Sequence, residues 1–111
     1  MLNFLCDPSE RHLPMEKRSV VYVCDDGKRI ATVSGADDIS SERGQAVKMW
    51  RVKMHHKQFD PFQHEHEEHE EKPYVASDEE GRLSLVNPKP MGIVEARQWV
   101  RDNYIGRKRT K

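Results

Sequence analysis

The sequence predicts an α+β domain, an antiparallel sheet of about five strands with a C-terminal helix packed on one of its faces. Short β-branched and aromatic runs, separated by turn residues, occupy much of residues 19–86, and a run of helical periodicity follows near residues 91–104. Strands followed by a helix, rather than alternating with helices, are typical of the α+β class. The alternative is a small SH3-like barrel with the same helix against it.

The size and composition favour a single domain over residues 1–111. Apolar residues make up 35% of the chain and charged residues 34%, so we expect a modest core and much solvated surface. No run approaches the roughly 20 apolar residues that span a membrane, and residues 1–5 lack the length and basic start of a signal peptide. We therefore expect a small, soluble, cytoplasmic protein. Cys6 and Cys24 are expected to stay reduced, since no Cys-x-x-Cys spacing suggests a redox pair.

A β-hairpin is the first element that the sequence predicts. Residues 19–24 and 29–33 are rich in β-branched and aromatic residues, and Asp25-Asp26-Gly27-Lys28 lies between them. The Asp-Gly pair suits the positive φ angles of a tight hairpin turn. The preceding residues 1–17, which contain two prolines, predict an irregular N-terminal arm.

The middle of the chain predicts a loop and then a central strand. Residues 34–44 are rich in Ser, Asp and Gly, which predicts a loop or a single helical turn. In residues 46–54, Trp50, Val52 and Met54 alternate with charged residues. This is the period of a strand that has one face in the core.

A second hairpin and a helix complete the predicted fold. Residues 74–76 and 83–86 flank an Asp-Glu-Glu-Gly turn. Pro88 and Pro90 suit the approach to the helix or its first turn, and Gly106 suits a left-handed residue that ends it. The apolar side of the helix consists of Ile93, Ala96, Trp99, Val100 and Tyr104.

The net charge is zero, but the charges are unevenly distributed. Residues 1–57 carry ten basic and eight acidic side chains, residues 58–80 carry one and nine, and residues 81–111 carry eight and two. The three parts therefore have net charges of +2, −8 and +6. Such asymmetry favours interaction surfaces in the acidic middle part and in the basic C-terminal part.

Residues 57–72 predict a long acidic loop rich in histidine and glutamate. Imidazole and carboxylate groups are ligands of zinc and other divalent metals, so a metal-binding module is one hypothesis. The segment has few apolar residues to hold ligands in place, and it equally fits a solvated loop. Histidines among glutamates also suggest a pH sensor with pKa values above about 6.5. The candidate metal ligands are His64, His66 and His69, with His55 and His56 just before the loop.

Two phenylalanines, Phe59 and Phe62, lie near the start of this loop in the sequence Phe-Asp-Pro-Phe. Loops of this length are often functional. Two interpretations are open: the phenylalanines pack the loop onto the body of the domain, or they form an exposed motif that binds a partner.

The basic C-terminal part offers a second candidate surface. Contacts to phosphates require clustered cations, and the strand residues Lys48, Arg51 and Lys53 would enlarge such a patch. The same cations could instead bind an acidic surface of a protein partner, or belong to a solvated helix face and tail. The cluster itself consists of Arg97 and Arg101 in the helix and of Arg107, Lys108 and Arg109 in the basic tail, residues 107–111.

These features favour a small non-enzymatic binding or regulatory module that acts through a protein partner. The spacing of residues suggests no Gly-rich phosphate loop and no Ser-His-Asp or Cys-His arrangement, so we expect no catalytic residues and no resident cofactor. One alternative is a small nucleic-acid-binding domain that uses the C-terminal helix and the basic tail. The other is the metal-binding module described above.

Overall fold

The computed structural model describes residues 2–6, 12–14, 17–42 and 45–106, which form a six-stranded antiparallel sheet and an α-helix. The helix, α1, spans Ile93–Asn103. The strands are β1 (Leu2–Cys6), β2 (Val20–Asp25), β3 (Lys28–Glu42), β4 (Gln45–Met54), β5 (Tyr74–Ser77) and β6 (Leu83–Met91).

The strands are ordered β1-β2-β3-β4-β6-β5, and each neighbouring pair is antiparallel. Since β1 and β5 lie at opposite edges, the sheet is open, and the alternative of an SH3-like barrel is wrong. The predicted α+β class is confirmed, because α1 packs against the sheet, chiefly on β4. Among the described residues, no helix is both long and apolar enough to cross a membrane.

Both predicted hairpins are present. The turn between β2 and β3 has positive φ angles at Asp26, 52°, and Gly27, 77°, as the Asp-Gly pair predicts. In the turn between β5 and β6, Oδ1 of Asp78 accepts hydrogen bonds from the backbone N of Glu80 and of Arg82, at 2.9 and 2.8 Å. A side chain that satisfies backbone donors in this way stabilises the turn locally.

Two predictions for the first half of the chain are wrong. Residues 2–6, expected to belong to an irregular arm, form β1, because they pair with β2 along its otherwise open edge. Residues 34–42, expected to lie in a loop, continue β3, which pairs with β4 as far as Glu42 and Gln45. Main-chain hydrogen bonds to a neighbouring strand thus outweigh the turn-forming tendency of these polar residues.

The end of β6 and the end of α1 also differ from the prediction. β6 runs through Pro88 and Pro90 to Met91, where its pairing with β4 is irregular and β5 no longer lies beside it. Prolines are tolerated at such irregular and edge positions, because no donor is missed there. α1 ends at Asn103, and Gly106 is not left-handed, since the positive-φ glycines are Gly27 and Gly81 among the described residues.

The sheet has an inner face, which α1 covers, and an outer face on the opposite side. The inner face is apolar: Trp50, Val52 and Met54 are at most 1% exposed and pack in one cluster with Ala96 and Val100 of α1. The alternation predicted for β4 is therefore confirmed. The other inner-face strand residues in the cluster are Val21, Val23, Ala31, Val33, Val75, Leu85 and Met91.

Candidate functional site

The chain turns sharply after β4, at residues 55–58. Lys57 has a φ of 68°, and the backbone N of Gln58 donates to the carbonyl of His55 at 3.1 Å. Gln58 is buried, and its carbonyl accepts a hydrogen bond from the backbone N of Ile105, also at 3.1 Å. This turn therefore fixes the start of segment 57–72 against the residues that follow α1.

Phe59 and Phe62 lie in different environments. Phe59 is 1% exposed and belongs to the core cluster, whereas Phe62 is 94% exposed. Between them Asp60 caps a short 3₁₀ helix, Pro61–Gln63, and its Oδ1 accepts a hydrogen bond from the backbone N of Phe62 at 3.0 Å. The capped turn holds the backbone in place while the side chain of Phe62 faces solvent.

A pocket of about 330 Å³ lies beside Phe62. This volume is near the lower end of the roughly 300–1,000 Å³ of ligand pockets, so it suits one side chain or a small group. Its lining is mainly apolar, with polar groups contributed by a few residues. The lining residues are His56, Lys57, Phe59, Asp60, Pro61, Phe62, Leu83 and Ile105.

Sequence reasoning missed two residues of this pocket, Leu83 and Ile105. Leu83 is predicted only as part of a strand, and Ile105 has no predicted role. The available signal was weak: Ile105 is an apolar residue just past the end of a helix, where solvated polar residues are more common. Only the packing of the residues after α1 against Gln58 brings Ile105 to Phe59.

The segment after the 3₁₀ helix is attached to the domain at several points. Its backbone reaches β5, where the N of Val75 donates to the carbonyl of Glu65 at 2.7 Å and Glu65 forms a bridge with Tyr74. This contact covers part of the β5 edge, which would otherwise present unpaired backbone groups. Nε2 of His66 lies 2.8 Å from the carbonyl oxygen of Pro61, so the segment also lies beside the pocket.

The candidate metal ligands have separate partners. The ring of His64 meets that of Phe59 edge-on, with centroids 6.5 Å apart. Nδ1 of His69 accepts hydrogen bonds from the backbone N of Glu71 and of Lys72, at 3.0 and 3.1 Å. Nδ1 of His69 is therefore occupied by hydrogen bonds from the backbone that follows it.

The two histidines that precede the loop are engaged elsewhere. Nε2 of His55 lies 2.9 Å from Oγ1 of Thr32, and Nδ1 of His56 accepts from the backbone N of Leu83 at 2.9 Å. Over residues 2–6, 12–14, 17–42 and 45–106, no three His, Cys, Asp or Glu side chains are grouped so that they could hold a metal ion. The structure therefore does not bring the five candidate ligands together.

The pKa values of two histidines are lowered, whereas a pH sensor among glutamates is expected to have raised ones. Burial lowers the pKa of His64 below its ordinary value, and its neighbour His66 lowers it further, although Asp60 opposes the shift. Burial also lowers the pKa of His55, with additional contributions from the charges of Arg29 and Lys53. For His64, the expectation of a raised pKa is wrong; His55 precedes the loop to which that expectation applies.

The predicted basic patch is divided between the two layers of the fold. On α1, Arg97 is half-buried and Arg101 is exposed, while residues 107–111 lie outside the described residues. Arg51 and Lys53 are exposed on the outer face, so they do not extend the surface of α1. Nζ of Lys48 donates to the carbonyl of Arg18 and lies 4.7 Å from the centre of the Trp50 ring.

No protein-family model matches the chain, and neither a curated protein nor a solved structure matches it. Evidence about its function therefore comes from its own residues. The pocket with its exposed phenylalanine is the arrangement that brings an apolar concave surface next to a strongly charged segment.

Proposed function

We propose that this chain is a non-enzymatic protein-binding module, whose pocket beside Phe62 binds a short basic peptide segment carrying one large apolar side chain. The observation that carries the proposal is the 94% exposure of Phe62 at the rim of an apolar pocket.

The apolar part of the surface supports an anchor for one side chain. A single exposed apolar residue is ordinary on a protein surface. Phe62, however, is held by the Asp60 cap next to Phe59, Leu83 and Ile105, so its ring extends an existing apolar concavity. Exposed aromatic residues beside pockets are frequent hot spots of binding, because they bury a large area when the pocket is filled.

The charged part of the surface favours a basic partner. Residues 65–71 include five glutamates, all exposed, and the contact of His66 with Pro61 holds this segment beside the pocket. Asp60 adds a carboxylate at the pocket itself. Complementary charge mainly raises the association rate and selects among partners, whereas the apolar anchor supplies most of the affinity.

The test is a selection of 12-residue peptides from a random displayed library against the full chain. Selected peptides are synthesised and titrated against wild type, Phe62→Ala and Val94→Ala. Val94 is the matched control, because it is an apolar side chain that is 74% exposed on α1, away from the pocket lining. Both variants should keep the stability of the wild type within about 0.5 kcal/mol, since exposed side chains contribute little to it.

Peptides that combine Lys or Arg with one large apolar residue should be recovered. Phe62→Ala should weaken their binding about tenfold or more, or about 1.4 kcal/mol, whereas Val94→Ala should leave it unchanged. Recovery of peptides without basic residues, or equal effects of the two variants, would show that the proposed site is wrong.

A further inference from the structure

The outer face of the sheet is not covered by α1, and it presents an aromatic and basic surface. Its central row runs across the strands through Tyr22, Thr32, Lys53, Val86 and Tyr74, as the strand register shows. Tyr22 and Tyr74 are half-buried, and Lys53 is exposed. This row lies opposite the inner-face residues that form the core.

A bulge in β3 brings Arg29 to this face. Val23 pairs with Ala31 but Cys24 pairs with Arg29, so Ile30 is an extra residue that has no partner on β2. Without the bulge, strict alternation would place Arg29 on the same side as Ala31. With it, the guanidinium of Arg29 lies over the ring of Tyr22, 3.8 Å from its centre.

Further cations lie beside this stacked pair. Arg51 and Lys53 are exposed on the outer face of β4, and Nε of Arg51 donates to the carbonyl of Pro88 at 3.3 Å. His55 follows them, and its pKa is lowered by burial and also by the nearby charges of Arg29 and Lys53. The outer-face positions within residues 20–24, 29–34, 51–55, 74–76 and 84–86 include no Asp or Glu.

We propose that the outer face binds single-stranded nucleic acid, with a base stacked on the Arg29–Tyr22 pair and phosphates contacting Arg51 and Lys53. The ligand class follows from two features together. Clustered cations attract a polyanion, and a flat guanidinium supported by an aromatic ring is a platform on which unpaired bases stack. Glu65 pairs with Tyr74 and so brings a carboxylate to the β5 edge, which limits the site to β2, β3 and β4.

Other polyanions lack one of the two features. A duplex offers phosphates, but its bases are stacked within it, and an acidic peptide offers charge without flat bases. The site is separate from the peptide site proposed above, because none of the residues that line the pocket belongs to it. Loss of peptide binding in Phe62→Ala would therefore leave nucleic-acid binding unchanged.

The test is fluorescence anisotropy of the full chain with labelled dU and rU 12-mers, which differ only in the sugar, in about 50 and 200 mM salt. A 12-base-pair duplex and a polyglutamate peptide serve as competitors. The variants are Lys53→Glu, Lys53→Gln and Arg29→Gln, and Arg101→Glu is the matched control. Arg101 is also exposed, but it lies on α1, on the other side of the sheet. Circular dichroism and thermal melting verify that each variant is folded.

Wild type should bind the single strands with a Kd of roughly 1–100 µM in the lower salt, in the usual range of sequence-independent binding. Lys53→Glu should weaken binding about tenfold, and Lys53→Gln less. The log–log slope of affinity against salt should become shallower by about 0.7 for each phosphate that the variant no longer neutralises. Arg29→Gln should weaken the binding of the single strands more than the binding of the duplex. Arg101→Glu should change the Kd for the single strands less than about twofold. The tighter of the two 12-mers identifies DNA or RNA as the ligand.

Three results would overturn the proposal. The first is no binding by wild type at about 100 µM in the lower salt. The second is an effect of Arg101→Glu equal to that of Lys53→Glu, which would assign binding to the helix and basic tail. The third is equally tight binding of the duplex or of polyglutamate, since neither offers unpaired bases to the Arg29–Tyr22 pair.

Discussion

Tyr104 joins the end of α1 to the first hairpin. Its side chain is 6% exposed, and its hydroxyl donates a hydrogen bond of 2.7 Å to Oδ2 of Asp25. Its ring lies against Gly106, where a Cβ atom would clash with it. Gly106 is therefore suited to its position by close packing and not by a left-handed φ. Burial, together with the hydrogen bond to Asp25 and the charge of that carboxylate, raises the pKa of Tyr104 to about 12.

The variant Tyr104→Phe tests this contact. Its free energy of unfolding should be about 1–2 kcal/mol below that of the wild type at neutral pH, because it lacks a hydrogen bond to a carboxylate. The tyrosine pKa is about 10 in the unfolded chain, so its contribution to stability is complete below about pH 10. The contribution declines as pH rises towards 12, because the unfolded state deprotonates first. Urea unfolding of both proteins should therefore show a difference that shrinks over this interval, and parallel curves would contradict the assignment.

Among the secondary-structure elements, β6 contributes to both the core and the pocket. Leu85 is fully buried on the inner face, whereas Leu83, two residues earlier on the same face, is half-buried and lines the pocket. At the start of this strand the core therefore adjoins the pocket, and Leu83 contacts both. Two leucines of one strand provide a matched comparison between stability and binding.

Leu85→Ala should lower the free energy of unfolding by about 2–5 kcal/mol, because it leaves a cavity in the core. Leu83→Ala should lower the free energy of unfolding less, since solvent already reaches that side chain. It should, however, weaken the binding of the same peptides whose binding Phe62→Ala weakens. Chemical denaturation and peptide titration measure the two effects. If Leu83→Ala left peptide affinity unchanged, Leu83 would not be part of the binding surface.

The segment 64–71 has the composition of a metal site, but the contacts of its histidines are those of a structural turn. His69 uses Nδ1 to accept backbone hydrogen bonds, and His66 contacts the carbonyl of Pro61. Regrouping these side chains around a metal ion would break such contacts, and few apolar side chains nearby would hold the new arrangement. The contacts instead fix the position of five exposed glutamates.

Stoichiometric zinc should therefore leave the thermal midpoint unchanged, and so should removal of metal with a chelator. The control is His69→Ala, which removes the acceptor of two backbone hydrogen bonds and should give the same lack of response. A chelator-sensitive rise in the midpoint of wild type, absent from His69→Ala, would show a metal site that the present side-chain arrangement does not provide.

In the molecule as a whole, a net charge of zero conceals two surfaces of opposite sign. Segment 64–71, with its five exposed glutamates, reaches the β5 edge at Glu65 and contacts the pocket residue Pro61 through His66, whereas the cations of the outer face lie on β3 and β4. The sheet separates the outer face from α1 and the core. This separation provides room for the two proposed ligands, a basic peptide and a single-stranded nucleic acid.

Local patterns in the sequence were sufficient for much of the architecture. The Asp-Gly turn of the first hairpin, the alternation around Trp50 and the apolar side of α1 each depend on residues close together in the chain. Such patterns determine backbone conformation and the buried side through periodicity, before any distant contact forms. The uneven charge distribution was equally readable, because it requires only counting.

Only the tertiary structure decided which distant residues meet. Pairing with neighbouring strands made β1 from a segment that predicted no strand and extended β3 through a polar stretch. The bulge at Ile30 turned Arg29 to the outer face, and the residues after α1 brought Ile105 to Phe59 and Leu83. By itself, the sequence determined an α+β domain with an acidic segment and a basic end. The candidate surfaces depend on long-range register and packing, which local periodicity does not specify.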